Sequence, residues 1–267
     1  MRPLRLLVLG LALVLWGGAM AAIPSDPEPS LLLGETAKSL PDGVNFVVGN
    51  DVWQPDQRYR NGSDWLALNC LKTSCTLEPA KLAVRSEKWQ GHYDDEAWPG
   101  QKLAFSKLKP GAGKVLAWFQ VDAKRSWLRP GPVTTYGSSA GGMKRPPSEG
   151  TLEVAIDLPE GKQATLVPLL VRENDTFRLQ LRTADRRQLL RELGTCSHAV
   201  STDYFVWAGD LDGDGRPDYL ISFVDAEGQV LFYLSSVATP GTLVGVAGIY
   251  TAPPFGGECD GDGWLTR

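Results

Sequence analysis

The stretch Asp210-Leu211-Asp212-Gly213-Asp214-Gly215-Arg216-Pro217-Asp218 puts four carboxylates into one short segment. Groups of like charge this close repel one another unless a cation sits among them, and one arginine does not relieve four acids. The flanks, Tyr204-Phe205-Val206-Trp207 and Tyr219-Leu220-Ile221-Ser222-Phe223-Val224, are β-branched and aromatic, which favours strands. The segment therefore predicts a strand–loop–strand unit organised around a hard cation.

Counted from Asp210, the first, third and fifth positions are Asp210, Asp212 and Asp214. Gly215 follows where the chain must turn sharply. Arg216 comes next and offers its backbone carbonyl, and Asp218 takes the ninth position. Calcium takes six to eight oxygens at about 2.3–2.6 Å, and this spacing can supply most of them from one loop. The twelfth position is Ile221, so the bidentate glutamate of a helical EF-hand is absent, and affinity is expected in the ~10⁻⁴–10⁻³ M range of extracellular modules. Read from Gly209 to Leu220 as GDLDGDGRPDYL, the loop resembles the calcium loop of FG-GAP and VCBS-type repeats, found in integrin propellers and exported bacterial proteins. The resemblance implies calcium ligation by Asp210, Asp212, Asp214, the Arg216 carbonyl and Asp218. It spans roughly Asp203 to Ser235. No repeat of fixed period accompanies it, which argues against a complete propeller.

The rest of the chain also reads as strands and turns. Asp64 to Cys70, Thr76 to Val84, Lys102 to Phe105 and Val115 to Val121 carry strand-like patterns, broken at Asn61-Gly62, Pro99-Gly100 and Pro110-Gly111. Thr151 to Ile156 alternates, and Thr165 to Val171 is an apolar run. Phe177, Leu179 and Leu181 share one side of a strand. Gln188 to Leu193 reads as a strand after a hairpin at Asp185-Arg186-Arg187. The 29 glycines and 19 prolines suit many turns better than a helical bundle. The expectation is an all-β fold of antiparallel sheets, arranged as a sandwich or like part of a propeller, with the strand–calcium loop–strand unit near the C-terminus.

Arg2 and Arg5, the apolar run Leu6 to Trp16 and the small residues of Ala19-Met20-Ala21 form a secretory signal pattern, with cleavage expected after Ala21. The apolar run is short for a membrane span, and no later segment is long enough for one. The expected organisation is a signal peptide at 1–21, a flexible arm at 22–41, a β region at 42–140, a linker or long loop at 141–150 and a second β region at 151–267. The destination is the periplasm or the extracellular space. The chain carries a net charge of −4, and its signal contributes arginines but no acids. Such a protein has no electrostatic reason to seek nucleic acid or anionic lipid. Its ligand or protein partner is not legible. The cysteines are Cys70, Cys75, Cys196 and Cys259, and an even number in an exported chain suggests disulfides. Of the possible pairings we favour Cys70–Cys75, close enough to staple a turn, with Cys196–Cys259. The spacing does not support zinc.

Candidates for catalysis are weaker. Gly137-Ser138-Ser139-Ala140-Gly141 fits a nucleophile elbow, with His198 as a later partner for Ser139. The following Gly142, Met143 and paired prolines are a poor helix where the elbow needs one. Gly111-Ala112-Gly113-Lys114 lacks the leading glycine and the Ser or Thr of a phosphate loop, and reads as a hairpin turn. His92 with Asp94, Asp95 and Glu96 reads as solvated surface. Glu258 to Gly263 reads as a solvated tail, with Asp260 able to join the calcium loop if Cys259 pairs with Cys196. Trp53, Tyr59 and Trp65 lie among polar residues, as on sugar-binding surfaces, although such rings are more often core. The sequence points to an exported, non-catalytic protein with a structural calcium site. The alternatives are a serine hydrolase using Ser139 and a carbohydrate-binding module.

Overall fold

The computed structural model describes residues 43–55, 58–90, 97–106, 113–122, 127–137, 153–171, 176–194, 204–223 and 228–251. The chain is all-β. Its strands are β1 (Phe46–Val47), β2 (Val52–Gln54), β3 (Gly62–Leu71), β4 (Ser74–Trp89), β5 (Trp98–Phe105), β6 (Lys114–Gln120), β7 (Gly131–Thr135), β8 (Val154–Asp157), β9 (Gln163–Val171), β10 (Thr176–Arg182), β11 (Arg187–Gly194), β12 (Phe205–Asp210), β13 (Asp218–Phe223), β14 (Gln229–Leu234) and β15 (Gly245–Thr251). No helix among the described residues is long and apolar enough to cross a membrane.

An eleven-stranded antiparallel sheet runs β1-β6-β3-β4-β7-β12-β13-β14-β15, with β5 and then β2 branching from β4. Its two ends nearly meet, because the Val44 N–H donates to the Ala247 carbonyl at 2.6 Å. The interior explains why. Phe46 stacks on Phe119 at 5.7 Å, both rings contact Phe232, and Tyr250 lies 6.2 Å from Phe46. Aromatic side chains from distant strands thus share one core and draw the sheet into a barrel-like wrap.

The expected alternation in β3 gives way to burial of every residue from Trp65 to Asn69. Both faces are covered. Leu66 pairs with Phe119 on one, and Trp65 packs against Phe105 and Tyr59 on the other. The second sheet, β11-β10-β9-β8, packs against β12 to β15 and builds a second core with Tyr219, Ile221, Leu231 and Tyr233. That leaves β14 buried along its whole length, which is why Val230 to Leu234 is a continuous apolar run rather than an alternating one.

The 42–140 and 151–267 regions share the large sheet. β7 pairs with β4 through Cys75↔Val133 and with β12 through Gly209↔Thr135. The 141–150 segment and the 22–41 arm lie outside the described residues. Cys70 and Cys75 stand opposite each other in the β3–β4 ladder, 4.1 Å apart at Cα, and form a disulfide. Cys196 and Cys259 lie outside the described residues.

Candidate metal centre

The last pair of the β12–β13 ladder is Gly209↔Asp218, so the strands deliver Asp210 and Asp218 to the two ends of one connection. Two glycines shape that connection, Gly213 at φ 78° and Gly215 at φ 79°. Only glycine adopts that left-handed backbone without steric cost, which accounts for Gly215 at the sharp turn expected of it. The aspartates then gather the loop's own amides. The Asp210 carboxylate accepts from the N–H groups of Gly213 at 2.7 Å and Gly215 at 3.0 Å. Asp212 Oδ1 accepts from the Asp214 N–H at 3.3 Å, and Asp218 Oδ2 accepts from the Leu211 N–H at 2.7 Å.

The result is a convergence of Asp210, Asp212 and Asp218, each offering a carboxylate oxygen within 4.8 Å of the others. Ligands on opposite sides of a calcium ion lie about 5 Å apart, so these three oxygens fit one hard cation. Asp214 stands apart from them. Its Oδ2 takes the Arg216 guanidinium, at 3.0 Å from Nε and 2.6 Å from Nη2, and its Oδ1 accepts the Arg216 N–H at 2.8 Å. Of the five expected ligands, three carboxylates therefore face one another, while the Arg216 side chain neutralises the fourth.

The environment is strongly negative. Asp218 is fully buried, and burial pushes its carboxyl up to about 7, helped by Asp212 and Asp214 and opposed by its two backbone hydrogen bonds. Burial also raises Asp212. For Asp214, burial pushes up, but hydrogen bonds from Ser235 and Arg216 outweigh it and hold the group below the usual carboxylate range. The field reaches Tyr136, whose hydroxyl is raised by burial and then by Asp210, Asp218 and Asp214. Bringing a cation in would relieve each of these repulsions.

Two residues at the site went unrecognised in the sequence. The Ser235 N–H donates to Asp218 Oδ1 at 2.9 Å, and its hydroxyl donates to Asp214 Oδ2 at 2.7 Å. The Ser236 hydroxyl donates to Asp212 Oδ2. The signal was the β13–β14 hairpin. Once Tyr219 pairs with Tyr233, the end of β14 must return beside Asp218.

The other candidates separate clearly. Trp53 and Tyr59 are 4% exposed and Trp65 is 1% exposed, so none presents a ring face to a sugar. Lys114 opens β6 directly after Gly113, at φ 107°, in keeping with a turn. Ser139, His198, His92, Asp94, Asp95, Glu96 and the Glu258 to Gly263 segment with Asp260 lie outside the described residues. Neither the known family models, the curated proteins nor the solved structures gave a match to this chain.

Proposed function

We propose that this is an exported, non-catalytic protein whose β12–β13 connection is a structural calcium site. The observation that carries the reading is the convergence of Asp210, Asp212 and Asp218 around one point, with Asp218 wholly buried. A buried carboxylate beside two others is costly unless a cation joins them. Calcium suits an all-oxygen set on a loop, and the FG-GAP-like spacing supports the same ion. The role is structural because the ligands come from both ends of one hairpin connection and are braced by Ser235 and Ser236, which directly follow β14. Export to the periplasm or the extracellular space is supported by the signal pattern at 1–21 and by the Cys70–Cys75 disulfide, which persists in oxidising compartments.

The test is thermal melting in chelator and in millimolar calcium, with calorimetric titration of the metal. A rise in Tm with calcium that disappears in Asp212→Asn supports the reading. An identical melting curve in chelator and in ~10 mM calcium, above the affinity range of extracellular modules, overturns it.

A further inference from the structure

β4 outruns the strands beside it. β3 covers one of its edges from Ser74 to Leu82, while β7 and then β5 take the other. Along a strand, successive residues present their backbone groups to alternate edges. Lys81 faces β5: its carbonyl accepts the Ser106 N–H at 2.8 Å, and its N–H donates to Ser106 Oγ at 3.0 Å. Val84 faces the opposite way, where its N–H donates to Asn61 Oδ1 at 2.6 Å. By the same parity Ser86 and Lys88 turn their backbone groups to that side. β3 does not reach them, because its first residue, Gly62, stands opposite Leu82. Among the described residues nothing bonds the Ser86 or Lys88 backbone there. A strand edge in this state is a template for another strand.

Charged side chains normally blunt an open edge. Here their order selects a partner instead. Arg85 and Glu87 lie on one face of β4, either side of Ser86. They bond each other at 3.1 Å, with the arginine 71% and the glutamate 37% exposed. About Ser86 the segment is its own electrostatic complement. An antiparallel copy with Ser86 opposite Ser86 sets each Arg85 opposite the other copy's Glu87. Those positions are the non-hydrogen-bonded ones, where facing side chains stand closest. Each ion pair then becomes half of a ring of four alternating charges. Other alignments are penalised, because like charges directly opposite are destabilising. Centring on Glu87 sets glutamate against glutamate, and centring on Lys88 sets lysine against lysine. A parallel copy in register stacks every charge on its like.

We propose that the free edge of β4, from Val84 to Lys88, pairs antiparallel with the same edge of a second copy of this chain, about a two-fold axis at Ser86. The two Ser86 residues exchange both of their backbone hydrogen bonds. Each Lys88 N–H donates to the other copy's Val84 carbonyl. Asn61 keeps the Val84 N–H, so the pairing ends there and each chain turns away beyond Lys88. Such an interface is isologous, as a two-fold dimer requires. It is also far smaller than a standard interface, so the dimer is weak and concentration-dependent.

The experiment is sedimentation equilibrium of the full chain in chelator, which separates its outcome from that of the metal site. The average mass should climb from monomer towards dimer as the chain is concentrated from about 10 μM to about 1 mM. Arg85→Glu and Glu87→Arg each place like charges across the axis and should weaken association about tenfold or more. Mixing those two variants should restore it, because the acidic edge of one then meets the basic edge of the other. Ser86→Pro removes the central N–H on an edge where proline is tolerated, and should abolish association with the circular dichroism spectrum unchanged. A mass that stays monomeric at about 1 mM, where even a weak dimer is populated, overturns the proposal. So does association that is undiminished in Arg85→Glu, or that does not return when the two charge variants are mixed.

Discussion

The β3–β4 turn and the β12–β13 connection are both ends of antiparallel hairpins, and both strand pairs border the short strand β7. They are held in opposite ways. At the first, Cys70 and Cys75 close the turn covalently, and Lys72 accepts a left-handed φ of 56° inside it. At the second, carboxylates crowd one another, amides and serines brace them, and Arg216 neutralises one. The first arrangement holds whatever ions are present. The second holds repulsion that a bound cation would remove. If the proposed cation site is real, a single sheet carries one unconditional and one conditional fastening.

The largest expected effect tests whether they belong to one cooperative unit. Phe232 is fully buried and touches Phe46 and Phe119 across the interior. Phe232→Ala should cost about 3–5 kcal/mol, the range for truncating a core phenylalanine. Unfolding should remain one transition by near-UV and far-UV circular dichroism, with the disulfide hairpin and the acidic connection lost together. A calcium-sensitive transition separate from the main one would mean that the two hairpins unfold independently. A smaller effect is expected from the paired change Cys70→Ser with Cys75→Ser. Closing so short a loop is worth about 2 kcal/mol by chain entropy. Denaturant unfolding should give the same loss in calcium and in chelator. A loss confined to one condition would show that the two fastenings are coupled through β7.

How far the sequence revealed these features follows from whether they are local. The aspartate loop was legible because its candidate ligands lie within one short segment, and Cys70–Cys75 because its partners flank one turn. Strand character was legible wherever β-branched and aromatic residues accumulate. The joining of the 42–140 and 151–267 regions was not. It depends on β7, whose Gly131–Thr135 sequence includes Pro132 and has no apolar alternation, and whose role lies in backbone pairing with two distant strands. Trp53 and Trp65 looked polar in context because their cover comes from elsewhere in the chain: Trp53 donates to the Glu87 carbonyl at 3.0 Å, and Phe105 packs on Trp65. Asp214 had the spacing of a ligand, but spacing does not show that Arg216, two residues on, would claim its carboxylate.

That last point gives a sharper test of the acidic connection. A cation that binds only the folded state stabilises it by RT ln(1 + [L]/Kd), about 1.4 kcal/mol at ten times Kd. For a chain of this size the Tm rise should be roughly 3–5 °C. Asp212→Asn should remove the rise, because Asp212 belongs to the converging set. Asp214→Ala should leave part of it, because that carboxylate faces Arg216 and Ser235 rather than the converging set. Complete loss in Asp214→Ala would mean that calcium draws Asp214 away from Arg216 to join the set. Magnesium should do less than calcium, since it dehydrates reluctantly and favours octahedral sites.

The smallest expected effect separates the two fastenings by pH. Burial raises the Asp218 carboxyl to about 7, well above its value of about 3.9 in an unfolded chain. Between those values the folded state binds more protons than the unfolded one, so metal-free stability rises as pH falls. The penalty for the buried charge is fully present above the folded value and is relieved below it. Lowering the pH from about 7.5 to about 6.5 in chelator should therefore raise stability by linkage from Asp218 alone, by no more than about 1 kcal/mol. In saturating calcium the sign should reverse, because protons and the cation compete for the same carboxylates. Asp218→Asn removes the titrating group and should flatten the chelator series, whereas the paired cysteine change leaves that slope untouched. Melting across this window, in chelator and in calcium, provides the measurement. A metal-free Tm that falls with acidification would show that Asp218 is already ionised and compensated in the folded chain, and that the acidic connection needs no cation to be stable.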